Sequence, residues 1–262
     1  MNYPTLSALN SESLIPVPRG RNPSEFGKVA VLVSSDQDFK NIRSNSLKPE
    51  ASNFYLSTLF TDKEKVSYAG PYIGAPYGVV LLESLIAKGA SKILVLGWCG
   101  AVSEKLKTGD LIIPTASISD EGTSRNYFDG NSNGASNDFP TIASSESLSS
   151  AFGKKLDKMG LDYTKEKIWT TDAIYRETPE KVEFFRKKGA FAVEMECSAL
   201  FATAHFRKVE ISALLVVSDE LKPTQWVPGF KTKEFKEARI KACNAIVEFA
   251  RDVNQEDLKQ KE

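Results

Sequence analysis

The sequence predicts an α/β fold: a single-domain, three-layer α/β/α sandwich with a mixed, largely parallel central sheet. Two observations point there. Short continuous apolar runs, of the kind found in strands covered on both faces, recur at Lys28–Val33, Lys92–Leu96, Leu111–Ile113 and Ile211–Val217. Segments with helical spacing lie between them, and that alternation is the pattern of strands joined through helices. The length of 262 residues with 41% hydrophobic content suits one large domain.

Residues 1–27 are rich in Ser, Pro and Asn and aperiodic, which predicts an irregular arm preceding a domain at 28–255, with a short tail at 256–262. The first helix with a clear face spans Ala75 to Lys88, where Val79, Leu82, Leu85 and Ile86 align before Gly89 stops it. Asp129 to Asn137 has almost no apolar content and reads as a surface excursion or lid. A second helix runs from Leu148 to Gly160. A third is bracketed by Thr178 as N-cap, Pro179 at its first position and Gly189 as stop. Leu200 to Phe206 is a further helical run, and the last helix spans roughly Thr232 to Arg251, offering Phe235, Ile240, Cys243, Ile246 and Phe249 for burial.

Composition excludes several function classes. The 34 basic and 34 acidic residues cancel without forming a basic stripe, so nucleic acid is not an expected partner. No stretch reaches the roughly 20 apolar residues that span a bilayer, and the amino terminus lacks a signal-peptide pattern. Cys99, Cys197 and Cys243 are scattered, which fits a reducing cytoplasm and neither a disulfide framework nor a metal site. The one histidine, His205, has no triad or metal partner in the pattern and reads as a helix-surface or packing residue.

Four segments could host chemistry: Ser34-Ser35-Asp36, Gly97-Trp98-Cys99-Gly100-Ala101, Thr171-Asp172-Ala173-Ile174-Tyr175, and the acidic positions in Val193-Glu194-Met195-Glu196-Cys197 and at Asp219. Three of them follow predicted strands, where open α/β sheets bind ligands. Carboxylates beside so much apolar sequence need a partner, either a structural donor or a polar ligand. For Glu196 the structural alternative is service to the first turn of the next helix; for Asp219 it is a turn or helix cap.

Taken in order with Leu106-Lys107-Thr108-Gly109-Asp110-Leu111-Ile112-Ile113 and Ser218-Asp219, these segments resemble the nucleoside phosphorylase family over about residues 28 to 250. That family contains the hexameric purine nucleoside and uridine phosphorylases and related nucleosidases. Ala116 to Ser124 is similar to the uridine branch, and Ser218-Asp219 to the purine branch. The resemblance implies that Glu196 accepts hydrogen bonds from ribose hydroxyls, with Met195 under the sugar and Val193 and Glu194 lining the base. It places Ile174 and Tyr175 at base and sugar contacts, and Cys99, Gly100 and Ile73 along the pocket. Asp219 matches the acid that assists the leaving purine at N7. Trp226 to Phe230 reads as a turn that closes over the base.

The implied activity is phosphorolysis of a nucleoside, purine favoured, giving free base and ribose 1-phosphate. Phosphate is the co-substrate, no metal or organic cofactor is implied, and a homo-oligomer from dimer to hexamer is expected. The anion site departs from the family's pattern. The stretch Ser34 to Phe39 lacks the relatives' glycine and arginine, and Val95 and Trp98 stand where they carry an arginine and a hydroxyl residue. Ser35 and Trp98 are the positions left to meet phosphate, with Lys40, Arg43, Arg19 or Arg21 as substitute cations. The nucleosidases' water-activating glutamate is also absent, which leaves Asp36 or Asp38 for that task. Two alternatives stay open: hydrolysis, and nucleoside binding without efficient catalysis.

Overall fold

The computed structural model describes residues 13–17, 26–46, 49–127 and 139–259, with side chains up to 256. Arg19, Arg21 and the 129–137 excursion lie outside these residues.

Among the described residues, eleven strands form one mixed sheet. Its parallel core begins with β1 (Val29–Val33), fully buried, which pairs with β4 (Ser67–Gly70) on one edge and β5 (Lys92–Ala101) on the other. β2 (Ala51–Phe54) and β3 (Ser57–Thr61) extend the β4 edge as antiparallel hairpins. On the other side β5 runs parallel to β10 (Glu210–Lys222) along its length. β10 pairs with β6 (Leu111–Asp120), β6 with β8 (Thr164–Thr171), β8 with β9 (Ala192–Glu194), and β9 returns to β5. These five strands close a ring. Short β7 (Thr141–Ala143) borders β6, and β11 (Gln225–Pro228) folds back on β10.

Helices cover both faces. α2 (Ala75–Ala87) and α5 (Cys197–Arg207) bury Val79, Leu82, Leu85, Leu200 and Phe201 against one face. α1 (Asp36–Asn45), α3 (Glu146–Lys158) and α6 (Lys233–Lys259) bury Ile42, Phe152, Phe235, Ile246 and Phe249 against the other. Each such side chain contributes about 1.5–3 kcal/mol by leaving water. α4 (Pro179–Lys187) starts as its Thr178-Pro179 signal predicts, with Thr178 Oγ1 accepting from Lys181 N–H at 3.4 Å. It seats Phe185 on Trp169, while Phe184 stays exposed.

Four expectations change here. Gly97–Ala101 lies inside β5 rather than after it, and Asp219 lies inside β10, because both strands gain partners beyond their apolar runs. Trp226 to Pro228 belongs to strand β11, not to a turn, since its backbone is paired with β10. Ile240 faces outward and is half-exposed, as the apolar stripe of α6 passes through Phe235, Ala242 and Ile246 instead.

Candidate active site

The site forms where one edge of β5 changes partners. β1 pairs with β5 up to Leu96, and β9 takes over at Gly100, so Gly97 to Cys99 lie at a switch point of the sheet, the place where open α/β sheets bind ligands. Gly100 lies opposite Val193 of β9 on one side and Asp219 of β10 on the other. With neighbouring strands about 4.8 Å apart, Asp219 and Val193 stand roughly 10 Å apart across it. A Cβ on Gly100 would fall 2.4 Å from Leu221 Cδ1 and 3.1 Å from Asp219 Oδ2, so only glycine lets Leu221 and Asp219 pack this closely over β5.

A bulge aims the acid. The β10–β5 register shifts between Val217 and Asp219, which re-aims a side chain that regular pleating would place elsewhere. Ser218 Oγ donates to Asp219 Oδ1 at 2.5 Å and Trp226 Nε1 donates to Oδ2 at 2.7 Å. Asp219 therefore caps neither a helix nor a turn.

At the other end, two glutamates divide the work. Glu194 is buried and accepts from the Thr170 hydroxyl and from the N–H groups of Glu196 and Cys197, the latter two at 2.7 and 2.8 Å. It thereby satisfies the amino end of α5. Glu196, at the N-cap position, makes no capping bond with its side chain; its Oε1 accepts from Gly74 N–H at 2.5 Å. The helix's need is met by Glu194, which leaves the Glu196 carboxylate for another partner. Burial, reinforced by Glu194, holds the Glu196 carboxyl well above the usual range. Among the described residues, every donor that reaches Glu194, Glu196 and Asp219 is neutral: backbone, hydroxyl or indole.

Other predicted positions scatter more. Met195 is half-buried between the glutamates, and Val193 is buried on β9. Cys99 is buried, and burial with Asp219 and Glu194 nearby pushes its thiol well up, which suits packing rather than nucleophilic attack. Ile73, next to Gly74, is 72% exposed; Ile174 is half-exposed and Tyr175 is 97% exposed on a single 3-10 turn. His205 is exposed and bonds Ala143 O through Nε2 at 2.9 Å.

The anion end is differently filled. Trp98 packs with the core face of α6, edge-on to Phe235 at 5.0 Å, and its Nε1 donates to Asp38 Oδ2 at 2.7 Å. Arg239 grips Asp38 Oδ1 through Nε and Nη2 at 2.9 and 2.6 Å and stacks on Trp98 at 4.8 Å. Asp38 is thus a buried structural anchor, not a free base. Ser35 Oγ accepts from Asp38 N–H at 3.4 Å as the N-cap of α1. Asp36 pairs with Lys40 at 2.6 Å, and Arg43 bonds Pro49 O, so each cation is already engaged.

Several participants carry no motif. Gly74 and Arg239 act through tertiary contacts, and Glu177 is half-buried close enough to Asp219 that burial first, and that charge second, push its carboxyl up to about 7. The Tyr72 hydroxyl, near Glu196, is buried without a hydrogen-bond partner.

Residues 28–253 match the phosphorylase superfamily. The chain belongs to that superfamily. It is 27% identical over 208 residues to a DeoD-type purine nucleoside phosphorylase from Caldanaerobacter subterraneus, covering 77% of this chain and 87% of the relative. A Bacillus cereus protein of the same designation is 30% identical over 72% of this chain and 75% of its own. Among solved structures, Toxoplasma gondii purine nucleoside phosphorylase bound to immucillin-H superposes with TM-score 0.77 at 18% identity, covering 94% of this chain and 99% of that one. A methylthioadenosine/S-adenosylhomocysteine nucleosidase from Campylobacter jejuni superposes with TM-score 0.68 at 20% identity, covering 86% and 97%. The superfamily's α/β architecture is therefore this chain's, and its members include both phosphorylases and nucleosidases.

Proposed function

We propose that the protein cleaves the N-glycosidic bond of a purine nucleoside with inorganic phosphate as acceptor. The observation that carries this is the pair of acids Glu196 and Asp219, neither bonded to a cation among the described residues. Glu196 retains lone pairs for vicinal sugar hydroxyls, which a carboxylate binds strongly. Burial raises its pKa to about 8, so the ionised form that accepts from both hydroxyls gains population as pH rises towards that value, and in so dry a place such bonds count for more.

As the bond from C1′ to the base nitrogen breaks, its electron pair leaves on the base and positive charge grows on the sugar. In its ionised form Glu196 sets a negative charge beside the sugar, which favours that cation. Asp219 delivers or shares a proton at N7, and a phosphate oxygen then bonds C1′. The DeoD-type relatives support phosphate as acceptor.

Water is the second reading, favoured by Asp38: the carboxylate at the ends of β1 and β5 takes up Arg239, so no free guanidinium there awaits an anion among the described residues. The discriminating assay follows base release from inosine, adenosine, uridine and methylthioadenosine with and without phosphate. Phosphate-dependent release supports phosphorolysis; equal release without it supports hydrolysis. Asp219→Asn should lower kcat on the best purine nucleoside by about 100-fold with little change in KM. Unchanged turnover removes Asp219 from the mechanism.

A further inference from the structure

We propose that Trp226 caps Asp219 in the ligand-free protein and that an arriving base must displace its indole. This rests on Asp219 being the base-facing acid. The indole holds Oδ2 while the Ser218 hydroxyl holds Oδ1, so both oxygens of the acid already carry a donor. The Ser218 hydroxyl is buried and lies 3.2 Å from Cys99 O, while the indole sits on the exposed hairpin, so the indole is the donor that an arriving base can replace.

The cap is built to release. Trp226 is 60% exposed, and the ring nearest to it, Phe230, is 6.3 Å away between centroids. Its backbone is held independently: Asp219 pairs with Pro228, and Gly229 N–H donates to Ser218 O at 2.9 Å. Gly229 is locked in place, since a Cβ there would lie 2.2 Å from Thr108 Cγ2. The side chain can therefore swing while the hairpin stays docked. Each opening gives up a charge-assisted hydrogen bond, and the ligand's apparent affinity falls by the fraction of molecules that are uncapped.

Two consequences separate a cap from a structural tryptophan. Removing the N–H while keeping an aromatic ring, as in Trp226→Phe, should tighten nucleoside binding by about 3- to 10-fold, whereas loss of a merely supporting contact would weaken it. Saturating nucleoside should also change the tryptophan emission of the wild type. Trp169 is fully buried and Trp98 is half-buried, so Trp226 is the indole free to respond.

The experiment titrates full-length wild type and Trp226→Phe with inosine by calorimetry, and follows emission in parallel. Tighter binding by Trp226→Phe, with an emission change in the wild type at the calorimetric midpoint and none in the variant, supports the cap. Equal or weaker binding by the variant, or unchanged wild-type emission at saturation, overturns it. If Asp219→Asn cleaves inosine as well as the wild type, or neither protein binds a nucleoside, the reading of Asp219 itself fails and the cap with it. Lost turnover in Asp219→Asn beside unaltered affinity in Trp226→Phe rejects the cap alone.

Discussion

Glu194 and Glu196 are two positions apart, and their different fates come from what each meets in space. Glu194 receives two helix N–H groups and a hydroxyl, while Glu196 receives one N–H from a distant loop. The Val-Glu-Met-Glu motif marks both acids but not which of them serves the helix. Glu177 has no motif at all, and its pKa raised to about 7 yields a pH prediction. A carboxyl whose folded pKa exceeds its unfolded value stabilises the fold below the unfolded pKa, and that stability is lost as pH rises through the folded value. Between pH about 4.5 and 7 the wild type should lose this increment. Glu177→Gln should therefore match the wild-type Tm near pH 4.5 and exceed it at pH 8 in thermal melts. Equal melting temperatures at pH 8 would show that Glu177 is not held protonated.

Among elements, the contact between α1 and α6 decides the anion end. Arg239 and Asp38 are 13% and 3% exposed at their side chains, so the pair is desolvated and neither can lose its partner cheaply. Asp38→Ala leaves Arg239 Nε and Nη2 and the Trp98 N–H without their acceptor, and should cost about 3 kcal/mol in a guanidinium titration. A loss below about 1 kcal/mol would mean the guanidinium finds water instead. Apolar runs and cap signals made α2, α4 and the first halves of β5 and β10 legible. The remaining halves were not, because their pairing comes from β9 and β11, whose residues are distant or polar. α6 likewise outruns its apolar stripe: Arg251 bonds Asp62 at 3.0 Å and Asn254 bonds Glu64 O at 2.8 Å, contacts no periodicity encodes.

At the scale of the whole molecule, apolar side chains remain uncovered on one side. Tyr55 and Leu56 at the β2–β3 turn lie over α2, bonded to Ser84 and Tyr77, beside half-exposed Val80. A homo-oligomer burying this face is our expectation; sedimentation should give a multiple of 28.9 kDa, and Leu56→Asp should shift it towards the single chain. A monomeric wild type would remove the expectation.

The sequence by itself determined the alternation of strands and helices and the superfamily, and it singled out Glu196 and Asp219 as candidates, because apolar periodicity and short motifs are local properties. Only the tertiary structure decided that five strands close a ring, that β5 changes partners at the switch point, and that Trp226 sits on Asp219. Those outcomes depend on which distant groups satisfy each hydrogen bond and charge, and burial makes that choice only once the chain is folded.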